Sequence, residues 1–194
     1  MRGWMFALAF GFALTLQSVS RAEEFRSPDG FSLSYPSDWL AFSEEEKPEK
    51  VPREVTDWIS RCKVDFGQTS VMLIHPSSDE FLEYVKVAPT KYLAVNNYNM
   101  TNLVGNSQQQ FQSQGMGADI WEARVRQVGN NLAMVLDYKV RSGLSRDPLH
   151  VRQYYLSKDG KSWLVTCTAT WSSFGTYASA FEAIAGSMKL GMQP

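Results

Sequence analysis

DIWEARVRQV (residues 119–128), LAMVLDYKVR (132–141), LHVRQYYLS (149–157) and KSWLVTCTATW (161–171) follow one another with little between them. All four are rich in valine, leucine, tyrosine, tryptophan or threonine, side chains that fit a pleated, half-buried surface. Gly129-Asn130-Asn131 parts the first pair, residues 142–148 the second and Lys158-Asp159-Gly160 the third. Connections this short bring the chain back beside itself, so the four runs predict an antiparallel meander. In the last run Trp163, Val165, Cys167, Ala169 and Trp171 alternate and therefore share one face. Ser172 or Ser173 can cap a closing helix. Phe174, Tyr177, Phe181, Ile184 and Met188 form its apolar stripe at helical spacing. A meander closed by an amphipathic helix is an α+β domain, a central antiparallel β-sheet flanked by helices.

Upstream, residues 25–28 and 31–35 flank Asp29-Gly30, a hairpin dipeptide, and Phe31, Leu33 and Tyr35 alternate with serines. Val51, Val55, Trp58, Ile59 and Cys62 fall on one helical face, with Pro52 suited to the first turn. Glu44, Glu45 and Glu46 lie in a charged surface loop before it. Residues 70–75 and 81–87 read as strands. Residues 90–114, rich in asparagine and glutamine, read as a surface helix with a modest stripe of Tyr92, Val95, Asn99 and Leu103.

The amino terminus carries a separate message. Arg2 precedes an apolar run over residues 3–16, and Ser20-Arg21-Ala22 places small residues three and one before a cut, the layout of a secretory signal peptide. The run of 14 residues is short of the ~20 needed to cross a bilayer. The expected arrangement is a signal over 1–22 and one domain over 23–194, exported to a periplasmic or extracellular space without stable membrane insertion. Loss of the signal leaves 17 basic residues against 20 acidic ones, a mature charge of about −3. Such a balance argues against nucleic-acid binding. Export makes a disulfide between Cys62 and Cys167 one reading, because both sit on apolar faces that helix-on-sheet packing can join. Two separate buried thiols are the other.

Catalytic chemistry is sparse. His75 and His150 are the two histidines, and neither has a second ligand at metal-site spacing. No nucleophile elbow, Walker loop or dinucleotide fingerprint occurs. The expectation is therefore a non-enzymatic chain with no metal or other cofactor. One polar constellation stands out. Glu122, Arg124 and Arg126 share a strand face, and Asp137 with Lys139, then His150 with Arg152 and Tyr154, can occupy the same side of the sheet, with Thr166, Thr168 and Thr170 beyond them. Arg124, Arg126, Lys139, His150, Arg152 and Tyr154 become candidate contacts for an acidic protein partner, since guanidinium groups pair well with carboxylates. Cross-strand salt bridging through Glu122 and Asp137 is the structural alternative.

Two local signatures, DGFSLSYPSDW (residues 29–39) and the span from Tyr154-Tyr155-Leu156 through the Lys158-Asp159-Gly160 turn to the closing helix and Ser187-Met188-Lys189-Leu190, resemble the PsbP-like family. The resemblance covers nearly all of residues 23–194. It implies a sheet sandwiched by helices, and members that mostly bind or stabilise other proteins. It supplies no catalytic motif. It thus agrees with an exported, non-enzymatic, protein-binding accessory or stabilising factor of the cell envelope, of which a periplasmic inhibitor or immunity protein is a narrower version. The competing class is a small-molecule or metal-binding protein, or a weak hydrolase, with a pocket between the 90–114 helix and the sheet.

Overall fold

The computed structural model of the chain describes residues 21–43, 51–62, 68–76, 81–113, 117–141 and 145–191. The expected signal peptide, apart from its last two residues, and the Glu44-Glu45-Glu46 loop lie outside these. The meander is present as β6 (Ala118–Val128), β7 (Asn131–Val140), β8 (Leu149–Lys158) and β9 (Lys161–Thr170), each antiparallel to the next. Asp159 (φ 51°) and Gly160 (φ 76°) take the left-handed conformations that a tight two-residue hairpin requires.

Three further strands extend the sheet beyond β9: β5 (Tyr84–Thr90), β4 (Val71–Ile74) and the short β3 (Leu40–Phe42). The spatial order is β3-β4-β5-β9-β8-β7-β6, which leaves β6 at one edge. A second sheet of three strands pairs β1 (Ala22–Ser27) with β2 (Phe31–Pro36) across the Asp29-Gly30 turn, and β2 with β10 (Lys189–Leu190). β5 is shifted from the expected 81–87, and the helix expected at 90–114 is α2 (Asn97–Ser113). Asn96 explains the later start, because its Oδ1 accepts from the Asn99 N–H (2.8 Å) as an amino-terminal cap.

The two faces of the large sheet hold different cores. On one, α1 (Arg53–Cys62) packs Val55 and Trp58 over Met72, Ile74, Leu136 and Val151. α2 seats Met100 and Leu103 on Met134 nearby. On the other, α3 (Phe174–Gly186) brings Phe174, Phe181 and Ile184 over Val85, Val135, Val165 and Cys167, joined by Phe31 and Leu33 of the small sheet. Ser187 ties α3 to that sheet, accepting from the Ser34 N–H (2.8 Å) and donating to the Ile184 carbonyl (2.8 Å).

This layering bears on the two readings of the cysteines and favours separate thiols over a bridge. Cys167 is a free, buried thiol on the α3 face, whereas the helix that carries Cys62 packs on the opposite face of the sheet. Strand parity and helix periodicity each predict an apolar face, but neither says on which side of the sheet that face packs.

Candidate functional site

Strand register aligns the predicted cations, with one change. Asp137 stands opposite Arg152, and Arg152 opposite Cys167, while Thr166 and Thr168 pair with Gln153 and Val151 on the reverse side. The cationic row and the apolar row of β9 therefore share one face, and that face is covered by α3. The expected open polar sheet is instead a half-enclosed network whose missing member is Glu182, on the solvent side of α3's apolar stripe. Arg126 donates twice to Glu182 (2.5 and 2.7 Å), and the Tyr154 hydroxyl donates to it at 2.8 Å. Arg152 Nε donates to both oxygens of Asp137 at 3.0 Å, and His150 Nε2 meets Asp137 Oδ1 at 2.7 Å.

The electrostatics follow from these partners. The hydrogen bonds from Arg126 hold the Glu182 carboxyl below its ordinary value, burial opposes this, and the Tyr154 bond adds to it. Burial disfavours the charge of Arg152, but Asp137's hydrogen bonds and charge outweigh it and keep the guanidinium further from deprotonation than usual. Burial pushes both the Tyr154 phenol and the Cys167 thiol up, so neither is a ready nucleophile.

At the outer end of this face the character changes from ionic to aromatic. A register shift in β6 leaves Trp121 as an extra residue between Ile120, opposite Tyr138, and Glu122, opposite Asp137. The bulge turns Trp121 toward Trp171 (ring centroids 5.4 Å apart, 84° between planes) and toward His150 (4.7 Å). His150 stacks on Phe174, the first residue of α3, and Lys139 Nζ sits 4.3 Å over the Trp171 ring. Trp121 and Trp171 stay 43% and 47% exposed, unusual for a residue that normally fills cores. The surroundings of His150 are aromatic, which gives its pairing with Asp137 an orienting role for the ring.

Of the six predicted contact residues, Arg124 remains on the surface, paired with Glu122 at 2.5 Å, and Lys139 lies at the aromatic rim. His150 is mostly enclosed there, and Arg126, Arg152 and Tyr154 are engaged inward. Sequence reading missed Trp121 and Glu182. A bulge carries no residue signature of its own, and a glutamate beside an apolar stripe reads as solvated. The space between α2 and the sheet is filled by Met100, Leu103 and Met134. A cleft of about 590 Å³ lies instead along α1, lined by residues including Glu54, Asp57, Trp58 and Leu82. Among the described residues no three of His, Cys, Asp or Glu are grouped to hold a metal ion, and no helix is long and apolar enough to cross a membrane.

A family model described as PsbP matches residues 21–190. The fold is similar to the solution structure of cyanobacterial PsbP from Synechocystis, at TM-score 0.59 and 15% identity over 94% of this chain and 98% of that one. It is also similar to LpqN of Mycobacterium tuberculosis, involved in cell envelope biogenesis, at TM-score 0.50 and 12% identity over 88% and 91%. A protein from Bacteroides thetaiotaomicron matches at TM-score 0.50 and 14% identity, over 86% of this chain and 47% of that one. No curated protein sequence matches significantly.

Proposed function

The chain belongs to the PsbP family, and from that premise we propose that it is an exported, non-enzymatic accessory protein of the cell envelope that binds and stabilises another protein. The observation that carries this reading is the exposed Trp121–Trp171 pair. Tryptophan is prominent among the few residues that dominate binding energy at protein interfaces, and bulges often re-aim a side chain at a functional position. Lys139 adds positive charge over Trp171, Arg124 lies further along β6 paired with Glu122, and His150 completes the floor of the pair. The contact surface thus comprises Trp121, Trp171, Lys139, Arg124 and His150. Arg126, Arg152 and Tyr154 hold α3 in the position that presents it. An acidic partner complements such a surface, its carboxylates meeting the cations at the rim and an apolar side chain filling the indole corner.

The test is affinity capture from native envelope extract with the tagged chain, comparing wild type with Trp121→Ala/Trp171→Ala and with Arg124→Glu/Lys139→Glu. These positions are exposed or at the rim, so thermal stability should change little. One dominant partner, lost in the tryptophan variant and reduced in the charge variant, is the expected result. Equal capture by all three proteins would remove this surface from the reading.

A further inference from the structure

Beside Trp171, at the amino-terminal end of α3, lies a second cleft of about 300 Å³, with walls that include Glu83, Arg146, Asp147, Thr170, Ser172 and Ser173. Glu83 is its unusual member. It directly precedes β5, its carbonyl accepting from the His75 N–H (3.0 Å), and the residue is 1% exposed. Oε1 accepts from the Ser173 hydroxyl at 2.7 Å, while Oε2 is buried without a partner. Ser173 is the cap residue of α3, yet its side chain makes no capping bond to the helix; it serves Glu83 instead. A negative charge is well tolerated at a helix amino terminus, but an unmatched buried carboxylate oxygen remains costly.

A chain of hydroxyls links this carboxylate to a second one. Thr170 Oγ1 lies 2.7 Å from Ser173 Oγ and 3.1 Å from Ser172 Oγ, and Ser172 donates to Asp147 Oδ2 at 2.6 Å. Each hydroxyl has one proton. Those of Ser173 and Ser172 are committed to Glu83 and Asp147, and that of Thr170 goes to one of the two serines. What the hydroxyl chain has left to offer is lone pairs and two negative charges, against one cation in the lining, the exposed Arg146. The lining is net negative, and the buried Glu83 Oε2 lacks a donor, so a ligand that donates and carries positive charge satisfies it.

We propose that this cleft binds a primary ammonium group. An ammonium is compact and carries three donors, which suits an array of acceptors with a carboxylate at each end. Calcium also takes oxygen ligands, but it needs six to eight of them. The site adjoins the protein-binding surface proposed above at Trp171, and its test does not depend on a partner. Cadaverine and Nα-acetyl-lysine amide, titrated into the purified full chain and followed by calorimetry, represent a free amine and a lysine side chain. Binding of either supports the proposal, and the tighter of the two identifies the source. Glu83→Gln keeps the side-chain volume and an acceptor for Ser173, so it should fold. It should weaken binding about ten-fold or more, as the loss of a charge-assisted hydrogen bond does. The exposed Asp147→Asn gives the same reading should Glu83→Gln fail to fold. Tetramethylammonium, a cation with no N–H, should bind at least about ten-fold more weakly than cadaverine. The proposal is overturned if neither amine binds wild type at about 10 mM, if Glu83→Gln and Asp147→Asn bind as wild type does, or if tetramethylammonium or calcium binds as tightly as the amines.

Discussion

Replacing Glu182 by alanine should expose how far the ionic face depends on α3. Glu182 accepts two bonds from Arg126 and one from the Tyr154 hydroxyl. Tyr154 is 0% exposed, so its hydroxyl would be left buried without an acceptor, at a cost of about 1–3 kcal/mol. The Arg126–Glu182 pair is partly solvated, at 22% and 39% exposure, and its loss adds about 0.5–1 kcal/mol. The sum is about 1.5–4 kcal/mol, which for a domain of this size lowers the melting temperature by about 3–16 °C. Near-ultraviolet circular dichroism on heating reads this directly. A cycle with Tyr154→Phe should show coupling of about 1 kcal/mol, because the phenylalanine removes the group that alanine strands. The pH dependence has a definite sign. Glu182's carboxyl is held below its ordinary value of 4.5 in the folded protein. Its contribution is therefore complete above the unfolded value and lost as pH falls through the lower folded one. The gap between wild type and Glu182→Ala should narrow in acid. A variant that melts within about 1 °C of wild type, or a gap that stays constant down to pH 3, would refute the assignment.

Gly129 and Cys167 give two sharper yes-or-no outcomes. At Gly129 (φ +57°), a Cβ would lie 1.8 Å from the Gly186 carbonyl oxygen, so the β6–β7 turn touches the end of α3 backbone to backbone. Gly129→Ala adds left-handed strain to that overlap and should cost about 2–4 kcal/mol in urea unfolding, against almost nothing for Gly117→Ala, where a Cβ meets open space. Cys167 should resist maleimide at pH 8 in the folded protein and react only in urea, since burial keeps the thiol protonated and covered. Dithiothreitol should leave the melting temperature unchanged; a drop would mean a bridge exists.

Strand periodicity made much of the architecture readable. Period-two alternation with glycine- and asparagine-rich turns located β6 to β9 to within a residue, because both signals are local and short turns permit only antiparallel return. The stripe over Phe174, Tyr177, Phe181 and Ile184 located α3 for the same reason. β3 and β10, with three and two residues, were not visible. Strands that short have no period of their own and exist only because β4 and β2 offer them a partner.

The candidate site was half legible. Alternation placed Arg126, Arg152 and Tyr154 on one face correctly, but it cannot say what covers a face. A carboxylate on a helix more than 25 residues along the chain from Tyr154 decided that these groups turn inward. The same limit governs the cysteines, whose inward-facing patterns are equally consistent with one side of the sheet or two. The bulge at Trp121, which brings an indole onto the α3 face, depends on the pairing of β6 with β7 and on no residue in β6 alone. Ser173 was foreseen as a cap, yet its hydroxyl went to Glu83, 90 positions earlier. By itself, then, the sequence determined the α+β class, the meander and the closing helix, because propensity, turn chemistry and burial periodicity are properties of neighbours along the chain. The tertiary structure alone decided which face each helix covers, which charges are neutralised and which tryptophans remain in solvent, because those outcomes depend on distances between residues far apart in sequence.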